Sequence, residues 1–259
     1  MLNFILEQPE KRLNERSTKF ISYQVIAAVS FLNKFDVVHC DVKPENVLLV
    51  KKEPFPQIKL CDFGYSRILN KGSIRRGSFV GTMNYLPPEA LCPSPNFSSS
   101  LDTWACGVVI YVSLSGVFPY NPQGDIRGQI ADDRIFFSSN NWSHVSPLAK
   151  ECIRKMMELQ SRKRVDCSRI KRHPWFSTDY ILWSDLKAFE QRFTALTGDS
   201  RSWWSDDLNI NNCMEELRTA RNLPHWSQIG CIVQPNLAPN NDNNNNNNNN
   251  NNGTMEEHF

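Results

Sequence analysis

Asp41 and Asn46 stand five residues apart in the run His39-Cys-Asp-Val-Lys-Pro-Glu-Asn46, and Asp62 opens Asp62-Phe-Gly64 sixteen residues further on. A carboxylate placed to take a hydroxyl proton, an amide oxygen and a second carboxylate as hard ligands for magnesium are the parts that phosphoryl transfer needs. That chemistry requires the attacking hydroxyl in line and the developing negative charge neutralised. An isolated Asp-x-x-x-x-Asn is more often a solvated turn; the Asp-Phe-Gly downstream reverses the balance.

These residues need a rigid support. The pattern predicts a helix over Leu13 to Phe35, with Phe20, Gln24, Ala27 and Phe31 in one stripe and Ile21, Val25, Ala28 and Leu32 beside it. So wide an apolar arc belongs in a core. Val47 to Val50 and Gln57 to Cys61 read as short strands, and Pro54-Phe-Pro56 enforces the turn between them. The order helix, loop, hairpin then holds Asp41 and Asp62 at the mouth of the hairpin. Lys71 to Met83, with Gly72, Gly77 and Gly81, reads as an exposed loop. Leu101 to Ser115 is apolar and rich in small residues and predicts a helix buried on all sides, with Asp102 as its cap or dipole partner. Further helical segments are expected over Ser146 to Leu159, within Arg164 to Phe176 and over Tyr180 to Leu196.

The 259 residues, 40% hydrophobic and 11% aromatic, are enough for one large domain or two small ones. A formal charge of +2 argues neither for nor against nucleic acid, no face-wide basic stripe is visible, and Arg162-Lys-Arg164 with Arg169, Lys171 and Arg172 reads as solvated. Eight scattered cysteines include no C-x-x-C pair, which argues against a zinc site or a disulfide framework and for a reducing compartment. The apolar start, Met1 to Leu6, is too short for a leader or a membrane span, so the chain reads as soluble and cytoplasmic. Asn240 to Asn252 is asparagine apart from Asp242 and reads as disordered. The expected organisation is one domain over 1–176, a helical extension over 177–224 and an Asn-rich tail over 225–259.

Six motifs now fall in order: His39-Cys-Asp41-x-Lys43-Pro-Glu-Asn46, Asp62-Phe-Gly64, Gly81-Thr82, Pro87-Pro-Glu89, Asp102-x-Trp104-x-x-Gly107 and His173-Pro-Trp175. Together, over residues 1–176, they resemble a eukaryotic protein kinase. Val38-His-Cys-Asp, Pro54-Phe-Pro-Gln-Ile-Lys-Leu-Cys-Asp-Phe-Gly and Ile110-Tyr-Val-Ser-Leu-Ser-Gly are similar to the protein kinase D subfamily of the calcium/calmodulin-dependent group. The resemblance implies a mainly α, protein-kinase-like C-terminal lobe with a short β-hairpin carrying the catalytic and metal loops, the N-terminal lobe being absent.

It also implies a serine/threonine kinase using ATP and Mg2+. Asp41 would orient the substrate hydroxyl, Lys43 would contact the transferring phosphate, and Asn46 and Asp62 would hold magnesium. Glu45, facing a basic substrate residue, and Thr82 would serve substrate binding. Ser73 and Ser78 match regulatory serines of the activation loop, Ser78 after a one-residue shift. Glu89 would pair with Arg164, and Asp102 would be structural. Cys61 would line the nucleotide pocket floor as inert packing. The implied partners are protein substrates with basic residues upstream of Ser or Thr and an upstream activating kinase, with no nucleic acid and no direct membrane contact.

Departures from the family pattern accompany the matches. Cys40 stands where an arginine usually precedes the catalytic aspartate, Thr82-Met-Asn replaces Thr-Pro-Ala, and Pro87-Pro-Glu replaces Ala-Pro-Glu. No Gly-x-Gly-x-x-Gly and no Val-Ala-x-Lys precede Asp41. The native polypeptide is then longer, or this is a lone lobe that is poorly active by itself. A non-catalytic kinase-lobe interaction module is the alternative function.

Overall fold

Asn14 starts the first long helix: its side-chain oxygen accepts the Ser17 N–H at 2.8 Å, closing one of the free amides of the first turn. The computed structural model describes residues 1–52, 55–69, 75–76, 81–92, 95–121, 123–131 and 135–197. A short helix α1 (Leu2–Leu6) precedes α2 (Glu15–Asn33), which starts later than the periodicity predicts because Asn14 is its cap and ends earlier, where the Lys34 and Phe35 N–H groups turn back to the Phe31 and Leu32 carbonyls. Ile21, Val25, Ile26 and Val29 lie fully inside. Gln24, in the predicted apolar stripe, does something else. Its amide donates to the Pro56 carbonyl at 2.9 Å and accepts the Ile58 N–H at 3.2 Å, fastening the hairpin to the helix.

Two small antiparallel ladders follow. β1 (Val37–Val38) pairs with β4 (Arg67–Ile68), Val38 opposite Arg67, and between them β2 (Val47–Leu49) pairs with β3 (Ile58–Leu60), Val47 opposite Leu60. Both hairpin strands are shorter than predicted. A third pair joins β5 (Arg75–Arg76) to β6 (Asn96–Phe97), so the stretch expected to be wholly loop contains a strand.

The buried helix is α3 (Ser100–Ser115), which packs on α2 and on a later helix, Pro147–Met156. It ends at Gly116, φ 75°, whose N–H bonds the Val112 carbonyl in the left-handed cap that glycine adopts without strain. Then come α4 (Ile126–Ala131), α5 (Ser139–Trp142) and α6 (Pro147–Met156), with Ser146 accepting the Ala149 N–H as cap and Pro147 in the first turn. The predicted end at Leu159 is three residues too late, since Met157 leaves helical geometry. Asp166 and His173 cap α7 (Cys167–Ile170) and α8 (Pro174–Ser177). Glu15 of α2 accepts from Ser146 Oγ at 2.6 Å and Trp175 Nε1 at 2.7 Å, tying three helices at one carboxylate.

Helix α9 (Tyr180–Thr197) lies against α2 and α8 through Leu182 and Leu186, and the Tyr23 ring meets Trp183 edge-on at 5.9 Å. Among the described residues no helix is long and apolar enough to cross a membrane.

Candidate active site

Asp102 shapes the loop from beneath. It stands in the first turn of α3, where a carboxylate suits the helix dipole, but it is not the cap, a position that Ser99 holds. Its Oδ2 accepts the His39 N–H at 2.7 Å and its Oδ1 the Cys40 N–H at 2.9 Å. Two successive amides aimed at one anion require a local kink, and Cys40 provides it at φ 66°. A non-glycine residue in that region is held there by its surroundings. Burial pushes the Asp102 carboxyl up to about 7, against the pull of the two amides. The Cys40 thiol is buried too, which pushes it up to about 12, beyond the range of a reactive thiolate.

His39 is fully enclosed. Its Nδ1 accepts the Asp41 N–H at 3.3 Å, so its Nε2–H donates to the Cys61 carbonyl at 3.0 Å. Burial lowers its pKa and favours that neutral tautomer. The Phe63 ring lies 4.8 Å away, centroid to centroid. His39 thereby joins the Asp41 loop to the Asp62 loop, a role the sequence reading left unassigned although the histidine directly precedes Cys40-Asp41.

Asp41 is buried and saturated. Its Oδ1 accepts from Thr82 N at 3.1 Å and Thr82 Oγ1 at 2.7 Å; its Oδ2 accepts from Lys43 Nζ at 2.8 Å and Asn46 Nδ2 at 2.9 Å. Burial works to raise its pKa, but those donors outweigh it and hold the carboxyl below its ordinary range. Lys43 Nζ also reaches Thr82 Oγ1 at 2.8 Å. The Thr82 approach depends on Gly81, at φ 98°, where an added Cβ would collide with the Cys40 carbonyl oxygen.

Asn46 ends a short turn, Pro44–Asn46. Its amide nitrogen is doubly committed, to the Asp41 carbonyl at 2.8 Å and to Oδ2, which leaves the amide oxygen for a cation. Its own carbonyl accepts the Cys61 N–H at 2.9 Å, bringing the start of the Asp62 loop alongside. Asp62 is exposed at φ 63°, and among the described residues only its Oδ1 is engaged, by the Gly64 N–H at 3.2 Å. Hard oxygens on Asn46 and Asp62 fit magnesium, which completes its shell with water and substrate phosphates. Burial and the neighbouring Asp62 charge raise the Cys61 thiol, in keeping with packing rather than reactivity.

Glu45 is exposed. Glu89 and Arg164 meet away from the network, Oε1–Nη1 at 2.6 Å and Oε2–Nη2 at 3.0 Å. Arg164 is buried, unlike the exposed Arg162 and Lys163 beside it, so the basic cluster is not uniformly solvated. Ser73, Ser78 and the Asn-rich stretch lie outside the described residues.

The fold thus brings Asp41, Lys43, Asn46 and Thr82 into one hydrogen-bonded cluster, with Asp62 one residue beyond the Asn46–Cys61 bond and Asp102 under the loop. Residues 1–176 match the protein kinase domain family, and the chain belongs to it. It is 44% identical over 207 residues to serine/threonine-protein kinase D3 of Homo sapiens, covering 78% of this chain and 23% of that protein. It is 42% identical over 207 residues to serine/threonine-protein kinase D2 of Rattus norvegicus, with the same shares, and 42% over 215 residues to serine/threonine-protein kinase dkf-2 of Caenorhabditis briggsae, 82% of this chain and 18% of that one. The chain spans about a fifth of the length of these curated relatives.

Proposed function

We propose that residues 1–176 form the mainly α C-terminal lobe of a serine/threonine protein kinase of protein kinase D type, which moves the γ-phosphate of ATP to a protein hydroxyl. The observation that carries this reading is the Asp41 cluster, in which one carboxylate is oriented by four donors from three residues. A carboxylate held below its ordinary range is a weak base. Asp41 therefore acts by orienting the hydroxyl and taking its proton late, which suits a loose transition state with little early proton transfer.

A carboxylate offers about four acceptor sites, and all four of Asp41's are in use. A substrate hydroxyl needs one of them vacated. Lys43 is the mobile donor, a flexible ammonium whose release from Oδ2 would free that site and carry its charge to the transferring phosphate. Asn46 and Asp62 would hold magnesium, which when bound to ATP neutralises charge on the phosphates. Thr82 positions Asp41, and Glu45 offers an exposed charge to a basic residue of the substrate. Phosphorylation of Ser73 and Ser78 by an activating kinase belongs to the same proposal and is supported by the sequence match alone.

The test is transfer of labelled phosphate from magnesium-ATP to a peptide with arginine upstream of serine, by the polypeptide that carries this sequence. Label on serine is expected, with Asp41→Asn at least about a hundredfold slower and still folded. Equal transfer by Asp41→Asn would remove the role given to Asp41. No transfer by the parent would favour the interaction module.

A further inference from the structure

Arg67 and Arg164 are used in opposite ways. The Arg164 guanidinium lies over Trp104 at 4.9 Å, and all five of its N–H groups find acceptors on Glu89, Ser100, Glu158 and Leu159. Arg67 lies over Phe97 at 5.2 Å, yet its buried Nε–H has no acceptor among the described residues. A methionine would bury the same stem without that orphan donor. What a guanidinium adds at this place is its charge on the ring.

The two residues belong to different parts of the site. Arg67 is in β4, opposite Val38, in the strand that leads through His39 and Cys40 to Asp41. Phe97 is buried in β6, opposite Arg75 of β5, and runs into α3, which carries Asp102. The catalytic loop is therefore tied to the start of α3 twice, by the Asp102 carboxylate and by the Arg67–Phe97 contact. Only the second also touches the strand on which β5 hangs, between Asp-Phe-Gly and Pro-Pro-Glu. At position 40, just before Asp41, the chain has a buried thiol and no charge.

We propose that Arg67 is a positioning residue, whose seat on the Phe97 ring joins the catalytic-loop sheet to β6 and keeps β5 paired without any phosphate. The peptide-binding consequence rests on the kinase reading; the structural one does not.

Amide exchange in the 259-residue chain separates the two. Arg67→Met and Phe97→Leu should each speed exchange over 75–76 and 96–97 about fivefold, the range a cation–ring contact provides, with α3 amides unchanged. The double variant should add little to either single one, and Arg67→Lys should restore part of the protection. Unchanged exchange in the single variants, or effects that multiply in the double one, would overturn the proposal.

In the polypeptide shown to phosphorylate peptide, Arg67→Met should raise peptide KM about fivefold and leave ATP KM alone, before any activating phosphorylation. A KM change confined to the phosphorylated enzyme, with exchange unaltered, would make Arg67 an anion receptor and sink the clamp. Faster exchange in a chain that phosphorylates nothing would leave the clamp standing and the kinase reading fallen.

Discussion

Replacing Glu89 by alanine should cost the fold about 3 kcal/mol, the lower end of the 3–5 kcal/mol typical when one partner of a buried ion pair is removed. The structure sets that position in the range. The Arg164 side chain has no solvent exposure, so losing Glu89 strands a full positive charge and two N–H groups. Three other N–H groups keep the carbonyls of Ser100, Glu158 and Leu159, and the Trp104 face remains beneath the guanidinium. Glu89→Gln keeps a neutral acceptor and should cost less, about 1–2 kcal/mol. Arg164→Met leaves Glu89 at 13% side-chain exposure, where water reaches it, but strands three carbonyls, and should cost a similar 2–3 kcal/mol. The exposed pair Arg16–Asp179, at 2.7 Å, is the control, worth under about 1 kcal/mol and weakened by salt. Urea unfolding followed by tryptophan fluorescence gives each value from the midpoint and slope. For a domain of this size 3 kcal/mol corresponds to a Tm drop of about 6–12 °C. A loss below about 1 kcal/mol for Glu89→Ala, or one matching the surface pair, would refute the claim that this contact is a buried anchor.

Gly81→Ala should separate Thr82 from Asp41, because its φ of 98° and the nearby Cys40 carbonyl leave no room for a Cβ; a kcat loss of at least about tenfold is expected, and unchanged kcat would show that the Thr82 contact is dispensable. Asp102, pushed up to about 7 in the fold, keeps a proton that the unfolded chain has already lost, so stability should fall as pH rises from about 4 to 7 by this group. Urea midpoints at pH 5 and 8 should therefore fall further in the wild type than in Asp102→Asn, and parallel curves would refute it. Asp41 is shifted the other way, so its contribution is present above the ordinary carboxylate range and lost only as pH falls below it; kcat should show no acid limb from this group between pH 5 and 8.

Much of the support was legible along the chain. Ile21, Val25, Ile26 and Val29 repeat at helical spacing, and the all-apolar run in α3 announces a helix enclosed on every side. Two prolines mark the turn between β2 and β3. The caps at Asn14, Ser146 and Asp166 shift helix ends by a residue or more from the apolar pattern, because a side-chain bond to one amide, and not periodicity, starts a helix. Gln24 is buried with its stripe, but what it does there is not legible: a polar side chain in an apolar stripe has a purpose only when the backbone it serves, at Pro56 and Ile58, is in place.

The sequence by itself determined which groups are available, a loop with Asp41, Lys43 and Asn46 at fixed spacing and an Asp62 turn behind a hairpin, since helix and strand periods and turn chemistry are local. What those groups do to one another was decided by the tertiary structure. Asp102 reaches the amides of His39 and Cys40 across more than sixty positions, and Thr82 reaches Asp41 across 41. Those contacts set the kink at Cys40 and the depressed pKa of Asp41, while burial raises that of Asp102 against its two amides, because desolvation and hydrogen bonding act through space and exist only once the chain has closed.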